Sequence, residues 1–169
     1  GRKIVIAAKA GSKDAFHIIN IRNGDSKKIP FDLEGVFTPK WSPDGMRLAF
    51  VGNKNSASDI YTIDLNTNEI VNLTSDIFSD SEPSWHPSSS KLLFVSDRGT
   101  KIDRVPTTAV DMIDHNFEQN NIYSIDINTK VVEKITNSSS NKNYPVYANT
   151  ENVIFYTSDY NGCLLYTSP

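Results

Sequence analysis

Two markers recur along this chain at matching spacings. A chain that repeats itself in this way can bury its apolar faces only by stacking one unit on the next. Asp59-Ile60-Tyr61-Thr62-Ile63-Asp64-Leu65-Asn66-Thr67 returns 62 residues later as Asn121-Ile122-Tyr123-Ser124-Ile125-Asp126-Ile127-Asn128-Thr129. A weaker copy, Ala15-Phe16-His17-Ile18-Ile19-Asn20-Ile21, lies 44 residues before the first. Pro39-Lys40-Trp41 returns as Pro83-Ser84-Trp85 after 44 residues, and as Pro145-Val146-Tyr147 after a further 62. Both markers report a period of 44, interrupted once by an insertion of 18 residues.

Each unit divides into four short strands. Strand A carries Pro-x-Trp. Strand B is the apolar run Leu48–Val51, with Leu92–Val95, Val153–Tyr156 and Ile4–Ala7 as its copies. Because that run is apolar on both faces, it must be covered on both sides. Strand C is Ile-Tyr-x-Ile-Asp, and strand D is Ile70–Leu73, Val131–Ile135 and Lys27–Ile29. Ser42-Pro43-Asp44-Gly45 joins A to B with turn chemistry: Pro presets φ, Asp bonds nearby backbone and Gly accepts φ > 0. Asn66-Thr67-Asn68-Glu69 and its copies make the C–D hairpin turns. Four short strands in about 40–45 residues describe a β-propeller blade.

The sequence therefore predicts an all-β propeller fragment of four-stranded antiparallel blades, two complete and two partial. Residues 1–33 supply strands B, C and D, 34–77 a complete blade, 78–140 a complete blade with an insertion at about 100–119, and 141–162 strands A and B. Gly1 aligns with Gly45, so the chain is expected to open inside an A–B turn. This is fewer than the about four to eight blades that close a ring. Residues 163–169 do not continue the repeat where strand C is due and read as a tail foreign to it.

Composition narrows the function classes. A net charge of −3 and a pI near 5.6, with Lys and Arg scattered, give no electrostatic reason to expect nucleic acid as partner. No apolar run approaches the roughly 20 residues of a membrane helix. The single Cys163 offers neither a disulfide framework nor a cysteine metal site. His17, His86 and His115 sit in three different elements without ligand spacing, so no metal and no cofactor is expected. There is no Gly-x-Ser-x-Gly elbow, so no catalytic residue is assigned. Asp64-Leu65-Asn66-Thr67-Asn68 imitates half a calcium loop but has Glu69 where Gly is needed and Ser75 where the acidic residue is needed. It reads as a hairpin turn.

The units Pro39-Lys40-Trp41-Ser42-Pro43-Asp44-Gly45, Leu48-Ala49-Phe50, Asp59-Ile60-Tyr61 and Ser96-Asp97-Arg98-Gly99 resemble the WD-like propeller repeat of the TolB family. The resemblance spans residues 1–162. It implies a non-catalytic scaffold that binds a protein partner, an envelope protein or peptide, in the bacterial periplasm or outside the cell. The same repeat occurs in prolyl-oligopeptidase-type and tricorn-type peptidases, which leaves open a substrate-gating propeller fused to a catalytic domain. A glycan- or small-ligand-binding funnel is the third reading. His86-Pro87-Ser88-Ser89-Ser90 and Ala148-Asn149-Thr150-Glu151-Asn152 replace the Ser-Pro-Asp-Gly turn in later units, and neither change is expected to break it.

The insertion is the sequence's candidate partner site, because B–C loops emerge on the face where propellers usually bind ligands. Thr107-Thr108-Ala109-Val110-Asp111 opens like a helix N-cap, with Val110, Ile113 and Phe117 on one face. Asp97, Arg98, Asp103, Arg104, Asp111, Asp114, His115 and Phe117 are the residues expected to meet a partner. Against this, Asp97 and Arg98 could form a local ion pair that fixes the loop, and the rest could be a solvated decoration.

Overall fold

The computed structural model describes residues 2–10, 13–100, 115–148, 153–160 and 165–167. Four antiparallel sheets follow one another in chain order. The first contains β1 (Lys3–Ala10), β2 (Lys13–Asn20) and β3 (Ser26–Pro30). The second contains β4 (Gly35–Trp41), β5 (Arg47–Lys54), β6 (Ala57–Asp64) and β7 (Ile70–Asn72). The third contains β8 (Asp80–Trp85), β9 (Lys91–Ser96), β10 (Asn121–Asp126) and β11 (Val132–Lys134). The fourth contains β12 (Lys142–Tyr147), β13 (Ile154–Ser158) and β14 (Leu165–Thr167). Each strand pairs only with its sequence neighbours within a sheet, which is the meander of a propeller blade. Among the described residues there is no α-helix, and none long and apolar enough to cross a membrane.

Strand alternation explains the two-sided apolar runs. In β5 and β6, Leu48 faces Ile63 and Phe50 faces Tyr61 across the ladder. These four point to the preceding sheet, where Phe16, Ile18, Ile29 and Phe31 meet them. Phe16 packs edge-on to Phe50 at 5.1 Å and to Phe31 at 4.7 Å. The intervening Ala49, Val51 and Ile60 point the other way, onto Trp85, Leu92, Phe94, Tyr123 and Ile125. The same division recurs once more, with Leu93 and Ile122 meeting Ile154. The second and third sheets thus each turn a ring-bearing face to their predecessor and a smaller aliphatic face to their successor. Full burial of a side chain such as Phe50 or Ile63 contributes about 1.5–3 kcal/mol.

Local chemistry holds the turns. The Ser42 hydroxyl donates to Asp44 Oδ1 at 2.6 Å, and that oxygen also accepts the Met46 amide at 2.9 Å. Gly45 takes φ +72°. In the third sheet Ser89 occupies the corresponding left-handed position at φ +60°, and the turn still closes through Ser89 N–H to His86 O at 2.9 Å. The replacement at Asn149–Asn152 lies outside the described residues. Asp64 spends its carboxylate on the amides of Asn66 and Thr67, at 2.8 and 3.0 Å, and Asp126 repeats this with Asn128 and Thr129. The calcium-like segment is therefore a hairpin turn.

The third-strand position of the last sheet is taken by Leu165–Thr167, which pairs with β13, Ser158 opposite Leu165. Backbone pairing to the edge of a strand does not require the repeat's side chains.

Candidate functional site

The first strands of successive sheets, β4, β8 and β12, lie next to one another and share a backbone irregularity. Their registers shift between Phe37 and Lys40, between Ser81 and Ser84, and between Asn143 and Val146. At each shift the residue preceding the repeat's proline is left-handed: Thr38 at φ +48°, Glu82 at +55° and Tyr144 at +56°. Proline disfavours helical conformations in its predecessor, and an L-residue in this region costs about 1–2 kcal/mol. Bulges re-aim side chains, and strain held at one repeat position concentrates at functional surfaces.

The three bulges line a concavity of about 610 Å³ together with Lys40, Trp41, Trp85 and Val146. Its wall combines aromatic rings, the rigid faces of Pro83 and Pro145, one cation and one anion. The Tyr144 amide donates to Glu82 Oε2, bridging β12 to β8. Burial pushes the Glu82 carboxyl up, while the Tyr144 amide and the Lys40 charge pull it back. Tyr144, at 66% exposure, projects from the wall. Trp85 Nε1 donates to Lys40 O at 3.0 Å, tying the two inner strands together.

The residues expected at a partner surface are distributed differently. Arg98 is 2% exposed and Asp97 4%, so neither presents its charge to a partner. Nor do the two pair with each other. Arg98 grips Asp80 through Nη2 at 2.8 and 2.7 Å and meets Asp76 through Nη1 at 3.0 Å. The rings of Phe94, Phe78 and Tyr123 surround the guanidinium at 5.0, 5.4 and 5.6 Å. Asp97 instead accepts the Ser79 amide at 3.0 Å, which fixes the loop leaving β9. His115 lies between Phe78 and Phe117, tilted to the first at 5.2 Å and edge-on to the second at 4.7 Å, and Phe117 is exposed. Asp103, Arg104, Asp111 and Asp114 lie outside the described residues, as do Val110 and Ile113 of the expected helical face.

Asp59, Asp76 and Asp80 converge as a metal's ligands would, with one oxygen from each within 4.8 Å of the others. Asp76 Oδ2 is buried without a hydrogen-bond partner and meets Arg98 only as an ion pair at 3.0 Å, while most of the other oxygens accept hydrogen bonds within the chain. Asp59 accepts from Asn72, Thr74 and the Asp76 amide, and Arg98 supplies a cation to the other two. One guanidinium does not neutralise three carboxylates. Burial drives Asp80 up to about 7 and raises Asp76 as well, partly offset by Arg98. The two titrate as a pair.

Sequence reasoning placed its site on the insertion and passed over Thr38, Glu82 and Tyr144. The signal was present in their identical offset, each directly before the repeat's proline. What hid it is that a left-handed conformation at a pre-proline residue runs against local propensity.

Residues 1–105 match the model of the TolB beta propeller domain family. Among solved structures, a TolB-type protein of Agrobacterium tumefaciens superimposes with a TM-score of 0.75 at 20% identity, over 94% of this chain and 50% of that one. TolB of Acinetobacter baumannii superimposes with a TM-score of 0.72 at 21% identity, over 98% of this chain and 38% of that one. The tricorn protease gives a TM-score of 0.69 at 15% identity, over 98% of this chain and 16% of that one. At these identities the likenesses show the propeller fold. The chain spans half or less of the length of each of these structures.

Proposed function

This chain belongs to the TolB beta propeller domain family, and from that premise we propose that it is a non-catalytic scaffold that captures a protein partner in the bacterial periplasm or cell envelope. The observation that carries the reading is the wall of β4, β8 and β12, where three equivalent left-handed bulges aim Thr38, Glu82 and Tyr144 at one concavity. Rigid prolines and tryptophans supply contact area at little entropic cost, and Lys40 and Glu82 supply opposite charges for register. An extended peptide carrying a basic residue opposite Glu82 fits that chemistry.

The test is site-specific photo-crosslinking in envelope extracts. A photoreactive residue in place of Tyr144 yields a discrete crosslinked protein, and the same residue in place of Ile70 on the outer strand β7 does not. Glu82→Lys removes the crosslink while leaving the melting midpoint in place. Equal crosslinking at both positions would defeat the proposal.

The tricorn likeness, at a TM-score of 0.69, supports a second reading in which the wall selects substrates for a peptidase domain elsewhere in the parent. Proteolytic activity of a longer parent, lost when its catalytic domain alone is inactivated, would favour that reading over the scaffold.

A further inference from the structure

The repeat departs from itself at one corner, and the departure opens a polar pocket. The corner between β7 and β8 carries Asn72, Asp76, Ile77, Phe78 and Asp80. The corresponding positions between β11 and β12, each 62 residues on, are Lys134, Ser138, Ser139, Ser140 and Lys142. The backbones are equivalent: Thr74 takes the Ile60 amide at 3.1 Å as Thr136 takes the Ile122 amide at 3.0 Å. In the first corner the fully buried Phe78 covers the Arg98 cluster. In the second, three serines replace Asp-Ile-Phe, and two of them, Ser138 and Ser139, line a pocket of about 520 Å³ with Arg98, His115, Gln119 and Lys134. Two anions or neutral groups have also become lysines. A local break in an otherwise consistent repeat is where a functional site is expected.

The pocket's serines are held by a neighbour outside its lining. Lys142, 5% exposed, donates to Ser138 Oγ at 2.6 Å, to Ser140 O at 2.9 Å and to Ser140 Oγ. Ser138 Oγ also lies 3.1 Å from Ser140 Oγ, so the two hydroxyls and the Lys142 ammonium form one network at the pocket's edge. Gln119 Nε2 donates to Ser138 O at 2.5 Å, which leaves its Oε1 as an acceptor. His115 brings a buried Nε2 with no hydrogen-bond partner among the described residues. Among the described residues no carboxylate lies within ion-pair distance of Lys134. Burial lowers its pKa, the direction expected for an ammonium that nothing neutralises.

We propose that this corner binds a small polyhydroxylated anion, a sugar acid whose carboxylate meets Lys134 and whose hydroxyls meet Ser138, Ser139, Gln119 and His115. Arg98 also lines the pocket, but Asp76 and Asp80 hold its charge, so Lys134 among neutral donors and acceptors selects for charge and hydroxyls together; a simple anion satisfies only the first and a neutral sugar only the second. The site is separate from the β4–β8–β12 wall and does not depend on the partner-binding reading.

The experiment is calorimetric titration of the full chain with D-glucuronate, D-glucose and acetate. Glucuronate binds saturably, and glucose and acetate each bind at least about tenfold more weakly. Lys134→Met erases the preference for glucuronate over glucose. Ser139→Ile, which restores the residue found at the equivalent position, closes the site to both. Melting midpoints are recorded for both variants; should Ser139→Ile fail to fold, Lys134→Met decides alone. Equal binding of glucose, equal binding of acetate, an unchanged preference in Lys134→Met, or no saturable glucuronate binding would each overturn the proposal.

Discussion

Arg98, two residues past β9, holds Asp80, at the start of β8, through both carboxylate oxygens, at 2.8 and 2.7 Å, with neither side chain reaching solvent. The pair closes one edge of the third sheet across 18 residues of chain, and Asp76 completes it from the loop before β8. Its Coulombic attraction is set against the cost of taking both charges out of water.

That balance makes the two partners unequal as mutation sites. Arg98→Met leaves Asp76 and Asp80 buried together without their cation, and is expected to cost about 3–5 kcal/mol. Adding Asp80→Asn should recover part of the loss by removing one charge. Urea unfolding of the three proteins measures this. A single-variant loss under about 1 kcal/mol would mean that the cluster is hydrated in solution.

The same cluster sets a pH dependence. Asp80 in the folded chain lies near 7, against an ordinary 3.8, so folding favours its protonated form. Its contribution is complete below 3.8 and is lost as pH rises through about 7. Asp76 and Asp97, also raised by burial, act in the same direction. Asp44, lowered by bonds from Ser42 and Met46, and Asp64 and Asp126, lowered by turn amides, act oppositely: their contribution is present above 3.8 and fades below it. The melting midpoint should therefore climb as pH falls from 8 toward 5 and drop again under stronger acid. In Asp80→Asn the climb should flatten. A midpoint that rises from pH 5 to 8 in the parent would contradict the assignment.

The two tryptophans of the repeat should not respond alike. Sequence alone makes Trp41 and Trp85 equivalent fillers of the contact between blades. Trp85 is 7% exposed and bonds Lys40 O, whereas Trp41 is only partly buried beside the first sheet. Trp85→Ala is expected to cost about 3–5 kcal/mol and Trp41→Ala clearly less. Equal shifts in thermal melting would place the two rings in equivalent surroundings after all.

Two glycines should fail for different reasons. Gly45→Ala meets no neighbour but must hold φ +72°, so a loss of about 1 kcal/mol is expected. A Cβ on Gly52 would stand 2.7 Å from the Tyr61 ring and 2.8 Å from Leu33 Cδ1. Gly52→Ala must therefore displace core side chains, at an expected 1–3 kcal/mol, about the range for overpacking. Denaturant midpoints that rank Gly45→Ala as the more damaging would reverse this reading.

The sequence by itself determined the repeat, its period and its interruption, the strands and the turns that join them. These are local properties: alternation within eight residues, a proline and glycine at a tight turn, an aspartate bonding amides two and three residues on. A periodic ladder propagates them, so reading one unit reads the next. Tertiary structure alone decided where Arg98 spends its charge, since Asp76 and Asp80 reach it only when β8 folds back along β9. It also decided which residues face the inner wall, because Thr38, Glu82 and Tyr144 are turned there by a conformation that pre-proline sterics oppose. The serine-lined corner belongs to both. Its substitutions are visible in the aligned repeats, but the space they open appears only once the neighbouring strands close around it.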